Sequence, residues 1–182
     1  MPIELSEQVI PIINFIESLG IKVLQIPNVE ADDVIATLAT PNYGKNIKVI
    51  ISSGDKDLAQ LVNDNVILIN SMDEKRLDIK GVIEKFGVHP DKIFDYLVLV
   101  GDTSDNIPGV DKIGPKTAMR LLEKYGSLDG IIENIDALKG KVQENIGKSS
   151  ETIKLAKKLI KLKTDVDVKL DLDTYVIDKR DE

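Results

Sequence analysis

Apolar and polar positions along this chain alternate between two periods. Val9, Ile10, Ile13, Ile16 and Leu19 recur at helical spacing, which predicts a helix capped by Ser6 and stopped by Gly20. Pro11 must either kink that helix or mark its true first turn. Ile21 to Ile26 alternates and is rich in β-branched residues, the pattern of a strand, and Pro27 and Asn28 break it. VEADDVIATLA predicts a helix that buries Val34, Ile35 and Leu38. Ile47 to Ser52, IKVIIS, is a nearly continuous apolar run, as in a parallel strand covered on both faces. A short helix holding Leu58, Leu61 and Val62 should follow, then a strand from Val66 to Asn70 and a helix from Ile79 to Phe86 capped by Asp78.

Beyond Pro90 the pattern becomes helical. Segments from Asp91 to Val100, from Pro115 to just before Gly126, from Leu128 to Asn134, from Ala137 to Glu144 and from Ser150 to Leu162 all fit a 3.6-residue period, the second burying Ala118, Leu121 and Leu122. Asp165 to Leu172 forms either a final edge strand or an extended tail. No fixed-period repeat is present, which argues against a solenoid. The expected organisation is therefore an α/β part over residues 1–90 and a helical part with its tail over residues 91–182.

Composition narrows the class. Apolar residues make up 42% and charged residues 30% of 182, which is ordinary globular material and argues against disorder. Aromatics are only 4%, with no Trp, so recognition of single strands by rows of stacked rings is poorly supported. With no Cys there is neither a disulfide nor a thiolate zinc site, and no apolar run reaches the roughly 20 residues that span a bilayer. A cytoplasmic protein without a membrane partner is expected. The net charge of −7 argues against nucleic acid, yet from Lys139 to Lys163 eight lysines face two glutamates, a local balance of 8 − 2 = +6. Those lysines form either a solvated helix face or a patch that tracks a nucleic-acid backbone.

The candidate chemistry is concentrated in carboxylates. Glu30, Asp32 and Asp33, then Asp55 and Asp57, then Asp102 and Asp105, each follow or end an apolar segment. Parallel neighbouring strands would bring all three groups to one edge of a sheet, where so many carboxylates stay ionised only with cations between them. Each group alone could equally cap a helix or solubilise a loop. Oxygen-only ligation suits Mg²⁺ or Mn²⁺, and two such ions can activate a water and stabilise a leaving oxygen in phosphodiester hydrolysis. Next to the last pair, Gly114 can adopt the positive φ of a tight turn, Pro115 fits a first helical position, and the following amides form a seat for a backbone phosphate. His89, just before Pro90 in a connecting loop and without acidic or cysteine neighbours, reads as structural or solvent-exposed.

VEADDVIATLA, SSGDKDLAQLV and GDTSDNIPGVDKIGPKTAMRLLEKYG, in this order, closely resemble the 5′ nuclease domain of bacterial DNA polymerase I and its relatives, the flap endonucleases and phage 5′ to 3′ exonucleases. The resemblance covers essentially the whole chain. It implies an incomplete PIN-like parallel sheet with flanking helices, followed by an all-helical helix-hairpin-helix subdomain. It further implies a metal site of Glu30, Asp32, Asp33, Asp55, Asp57 and Asp102, with Asp105 in the same cluster or just behind it, and with Asp32, Asp55 and Asp102 as the catalytic carboxylates. Gly109, Ile113, Gly114, Lys116 and Thr117 would form the DNA-gripping hairpin, often with a bound K⁺, and Arg120 is counted with them. The implied substrate is duplex DNA with a 5′ end or flap. Relatives begin with a further strand bearing another metal-binding Asp and a helical arch. The chain is accordingly expected to be a fragment, or a short form needing that segment or the rest of a polymerase chain. The rival expectations are a DNA-binding module without catalysis of its own and, more remotely, a small carboxylate and Mg²⁺ phosphatase.

Overall fold

The computed structural model describes residues 3–41, 47–72 and 74–177. The chain forms two compact units, one of residues 1–41 with 164–182 and one of residues 42–163. Among the described residues no helix is long and apolar enough to cross a membrane.

The first unit holds helices α1 (Ile3–Ser18) and α2 (Ala31–Ala39). Ser6 does not cap α1. The helix starts earlier, and the Ser6 hydroxyl donates to the Ile3 carbonyl at 2.8 Å. Pro11 lies inside it, while Gly20, with φ 76°, ends it as expected. Much of its apolar surface faces outward: Ile3, Leu5, Ile10, Ile12 and Phe15 are all exposed. The expected strand from Ile21 to Ile26 is absent among the described residues. Alternation specifies a face, but a strand also needs a hydrogen-bonded partner, and no described segment pairs with this one. In α2 the buried face is Asp33, Val34, Ala36, Thr37 and Ala39, whereas Ile35 and Leu38 are only half-buried. Thr37 Oγ1 donates to the Asp33 carbonyl at 2.8 Å and accepts from the Val166 amide at 3.2 Å, tying the C-terminal tail to α2. Of the two forms open to residues 165–172, the tail is the one observed, followed by a 3₁₀ turn at Leu172–Tyr175.

In the second unit β1 (Val49–Ser52) pairs in parallel with β2 (Val66–Ile69), which pairs antiparallel with β3 (Arg76–Leu77). β1 is not covered on both faces. Ile51 is buried, but Ile50 is 61% exposed. Helix α3 (Ile79–Phe86) follows, with Asp78 Oδ1 accepting from the Gly81 amide at 2.9 Å, the cap expected from the sequence. A 3₁₀ turn at Pro90–Lys92 leads into α4 (Ile93–Val100), almost wholly apolar, which buries Ile93, Tyr96, Leu97, Val98 and Leu99. Around it pack α5 (Pro115–Tyr125), α6 (Leu128–Glu133) and α8 (Ser150–Ile160), with α7 (Gly140–Lys148) beside them. Between α4 and α5 lies a two-stranded ribbon of β4 (Gly101–Asp102) and β5 (Ile107–Pro108). α7 starts three residues later than its apolar spacing predicts, because a 3₁₀ turn occupies Ile135–Ala137.

Candidate metal centre and nucleic-acid interface

The parallel pair fixes where the acidic loop emerges. Ser52 pairs with Ile69 at the last rung, and the Ser53 amide prolongs the ladder by donating to the Ile69 carbonyl at 3.0 Å. Gly54, Asp55, Lys56 and Asp57 then leave the carboxyl edge of the sheet, the place where α/β folds gather ligand groups. The loop is folded by its own side chains. Ser53 Oγ accepts from the Asp55 amide at 3.0 Å, and Asp55 Oδ1 accepts from the Asp57 amide at 2.8 Å. These bonds deliver Asp57 as the first residue of a 3₁₀ turn, Asp57–Leu61, that packs on α4.

α4 supplies the other half. It ends at Gly101, whose φ of 80° turns the chain into β4, and Asp102 there is only 2% exposed. The Ser104 amide donates to Asp102 Oδ1 at 2.8 Å and closes the turn that carries the exposed Asp105. Asp57, Asp102 and Asp105 each place an oxygen within 4.8 Å of the other two. Lys56 Nζ forms an ion pair of 2.5 Å with Asp102 Oδ1.

The crowding shows in the protonation of the group. Burial, and then the charges of Asp55, Asp102 and Asp105, push the Asp57 carboxyl up to about 7 in spite of Lys56. Desolvation and the neighbouring Asp102 raise Asp105 as well. Asp102 moves the other way: burial raises it, but the Lys56 ammonium, the Ser104 amide and the bond to Asp105 together hold it below the ordinary carboxylate value. Among the described residues no donor reaches Asp57 Oδ1, which is fully enclosed. An enclosed oxygen without a partner costs about 1–3 kcal/mol or more, and a hard cation satisfies it. The donor set is all oxygen, so the residues fit a Mg²⁺-like ion.

The remaining acidic residues of the sequence reading are not part of this group of three. Glu30, Asp32 and Asp33 open α2 in the first unit, with Glu30 at the N-cap in extended backbone and Asp33 buried. Asp55 stands outside the group of three, although its charge acts on Asp57 and Asp105. His89 is exposed, as expected, but it does have an acidic neighbour: Nδ1 lies 2.8 Å from Asp91 Oδ1.

The hairpin is built around a backbone crossing. A Cβ on Gly109 would lie 2.2 Å from the Val100 carbonyl oxygen, and one on Gly101 would lie 2.3 Å from the Gly109 nitrogen, so only glycine fits at either position. The Val110 amide donates to the Leu99 carbonyl at 2.9 Å, and the Ile113 amide to the Val110 carbonyl at 3.0 Å, with Ile113 itself buried. Gly114 does not take the expected positive φ. It is extended, at φ −88° and ψ 178°, and the left-handed residue of the turn is Lys112, at φ 58°. A Cβ on Gly114 would meet nothing within 4 Å, so the space before the first turn of α5 is open. Pro115 occupies that first turn, the amides of Thr117 and Ala118 both donate to the Gly114 carbonyl at 3.0 Å, and Lys116 and Arg120 stand exposed one turn apart.

Two contributors escaped the sequence reading. Asn145 Nδ2 on α7 donates to the Asp111 carbonyl at 2.8 Å and braces the hairpin turn across 34 residues of sequence. Asp129 pairs with Lys157 at 2.6 Å, and Lys148 and Lys154 pair with Glu144 and Glu151, so the lysine-rich stretch is less free than its charge count indicates.

Comparison with known proteins places this geometry. The family model for the C-terminal SAM fold of 5′-3′ exonucleases matches residues 88–182, more than half of the chain, and that for their N-terminal resolvase-like domain matches residues 1–87. The chain belongs to the 5′-3′ exonuclease family. As a member of that family it is 47% identical over 174 residues to a 5′-3′ exonuclease of Aquifex aeolicus, covering 94% of this chain and 59% of the relative. It is 43% identical over 185 residues to DNA polymerase I of Pseudomonas aeruginosa, covering 95% of this chain and 20% of that one. This 5′-3′ exonuclease family member thus spans about three fifths of the length of the exonuclease relative. Among solved structures, a bacteriophage T5 protein co-crystallised with metal ions shares the fold at a TM-score of 0.77 and 23% identity, over 85% of this chain and 58% of that one. A bacteriophage T5 flap endonuclease variant in a pseudo-enzyme-product complex with DNA and metal ions matches at a TM-score of 0.69 and 25% identity, over 75% and 51% of the two chains.

Proposed function

We propose that this chain carries the metal-binding and duplex-gripping parts of a 5′ to 3′ exonuclease or flap endonuclease that hydrolyses phosphodiester bonds of DNA in replication and repair. The observation that carries the reading is the enclosed, donorless Asp57 Oδ1 beside Asp102 and Asp105, a seat shaped for a cation. Mg²⁺ or Mn²⁺ would be held by Asp57, Asp102 and Asp105, with Asp55 adding charge. Bound there, the ion supplies an activated water and charge neutralisation for the leaving oxygen. The protein's part is to hold the carboxylates in place for the ion, whose charge favours their ionised form, and to fix the duplex through the open space at Gly114, the Lys116 amide and the Lys116 and Arg120 side chains. Gly109 and Ile113 shape that grip, and a K⁺ at the hairpin turn would add positive charge facing the phosphate. The substrate would be duplex DNA with a 5′ end or flap, the setting the cytoplasm, and the partner the rest of a longer nuclease or polymerase chain.

A second reading, a DNA-binding module without its own catalysis, draws on one fact: among the described residues a single trio of oxygens lies within 4.8 Å, enough to seat one ion, not two. The deciding experiment is cleavage of a labelled 5′-flap DNA with Mn²⁺, by this chain alone and then with the family's leading segment added in trans. Cleavage in either case, abolished by chelator, supports the nuclease. Metal-independent retardation of intact DNA in both cases selects the binding module.

A further inference from the structure

Lys56 belongs to the acidic loop but has no part in the reading above. Its side chain is one-third exposed, yet its ammonium reaches inward to Asp102 Oδ1. The same oxygen already accepts from the Ser104 amide. With two donors seated, Asp102 Oδ1 has both lone pairs committed. A cation that ligates through it must therefore evict one of the two. The Ser104 amide is backbone, held in the turn between β4 and β5, whereas Lys56 ends a flexible four-carbon stem.

We propose that Lys56 is a displaceable resident cation: it holds Asp102 while the centre lacks a divalent ion, yields that oxygen when the ion arrives, and is then left at the mouth of the site as a contact for the substrate phosphodiester. The inference rests on the metal-centre reading given under the proposed function. Lys56 is thus a positioning residue for the ligand set, and it lowers affinity for the first ion by competing with it.

The test is chemical reactivity. The intact chain is treated with formaldehyde and cyanoborohydride with and without saturating Mg²⁺, and methylation at each lysine is read by peptide mass spectrometry. Labelling of Lys56 should rise several-fold with Mg²⁺, while that of Lys141, exposed on α7, stays constant. In parallel, Lys56→Met should bind Mn²⁺ roughly tenfold more tightly, as loss of one competing charge at this range implies, and Lys56→Arg should not. Unchanged or reduced Lys56 labelling with Mg²⁺ overturns the proposal, even if Lys56→Met tightens Mn²⁺ binding, because a remote charge effect needs no displacement. Asp57→Asn separates the two levels. If it leaves Mn²⁺ affinity intact, the metal-centre reading fails; if it abolishes binding while Lys56 labelling in the parent chain is unmoved by Mg²⁺, only the role of Lys56 fails.

Discussion

At the scale of the residue, Asp57 holds its proton where an ordinary carboxyl has lost it. Its folded value of about 7 lies above the roughly 3.9 of an unfolded aspartate, so between those limits the native state binds the extra proton. The contribution of Asp57 to stability is therefore fully present below about pH 4 and is lost as pH rises towards 7. Asp105 acts in the same direction, while Asp102, whose value is lowered, contributes stability above its unfolded value that is lost only in stronger acid. The expected outcome is a chelated protein whose thermal midpoint falls as pH rises from 5 to 7, and whose midpoint at pH 7 recovers with millimolar Mg²⁺. A midpoint that is flat with pH and indifferent to Mg²⁺ would count against the centre. The acidic residues themselves, Asp55, Asp57, Asp102 and Asp105, were legible because each pair follows an apolar segment. The pairing of Lys56 with Asp102 was not, since 46 positions separate them and nothing local encodes the contact.

At the scale of the element, the hairpin shows how short-range chemistry and long-range packing divide the work. Pro115 at the first helical position and the Asp78 cap could be read directly, because the backbone requirement and the residue meeting it are neighbours. The ribbon of β4 and β5 and the two residues of β3 could not, since a strand of two residues has no period. The strand expected at Ile21 to Ile26 failed for the converse reason: it had the period but no described partner. Two variants test the hairpin from opposite sides. Gly109→Ala forces a methyl group into the Val100 carbonyl, and should cost about 3 kcal/mol or more in urea unfolding, in line with severe overpacking. Gly114→Val combined with Lys116→Ala should leave unfolding within about 1 kcal/mol of the parent, since the side chain at 114 enters open space and Lys116 is exposed. The same double variant should lose duplex binding at least tenfold in a retardation assay; retained binding would remove the hairpin from the interface.

At the scale of the whole molecule, the mixed α/β class was recoverable from periodicity, and the order of the three acidic motifs carried the family, whereas the compact units, 1–41 with 164–182 and 42–163, do not follow the expected division at residue 90. The net charge hides how charge is distributed, because it averages a group of carboxylates with a lysine-rich stretch, and three lysines of that stretch are paired with carboxylates. The glycines of the hairpin carry a consequence for how this chain tolerates change. Gly101 and Gly109 are locked against each other's backbone, so in a library selected only for soluble, protease-resistant protein both positions should return glycine alone, and a change at one should find no rescue at the other. Gly114 borders empty space, so the same selection should return a broad spectrum of residues there. Repeated with DNA capture as the selecting step, position 114 should collapse to glycine as well. Two rounds of sequencing would then sort apparently equivalent glycines into those the polypeptide demands and the one its ligand demands.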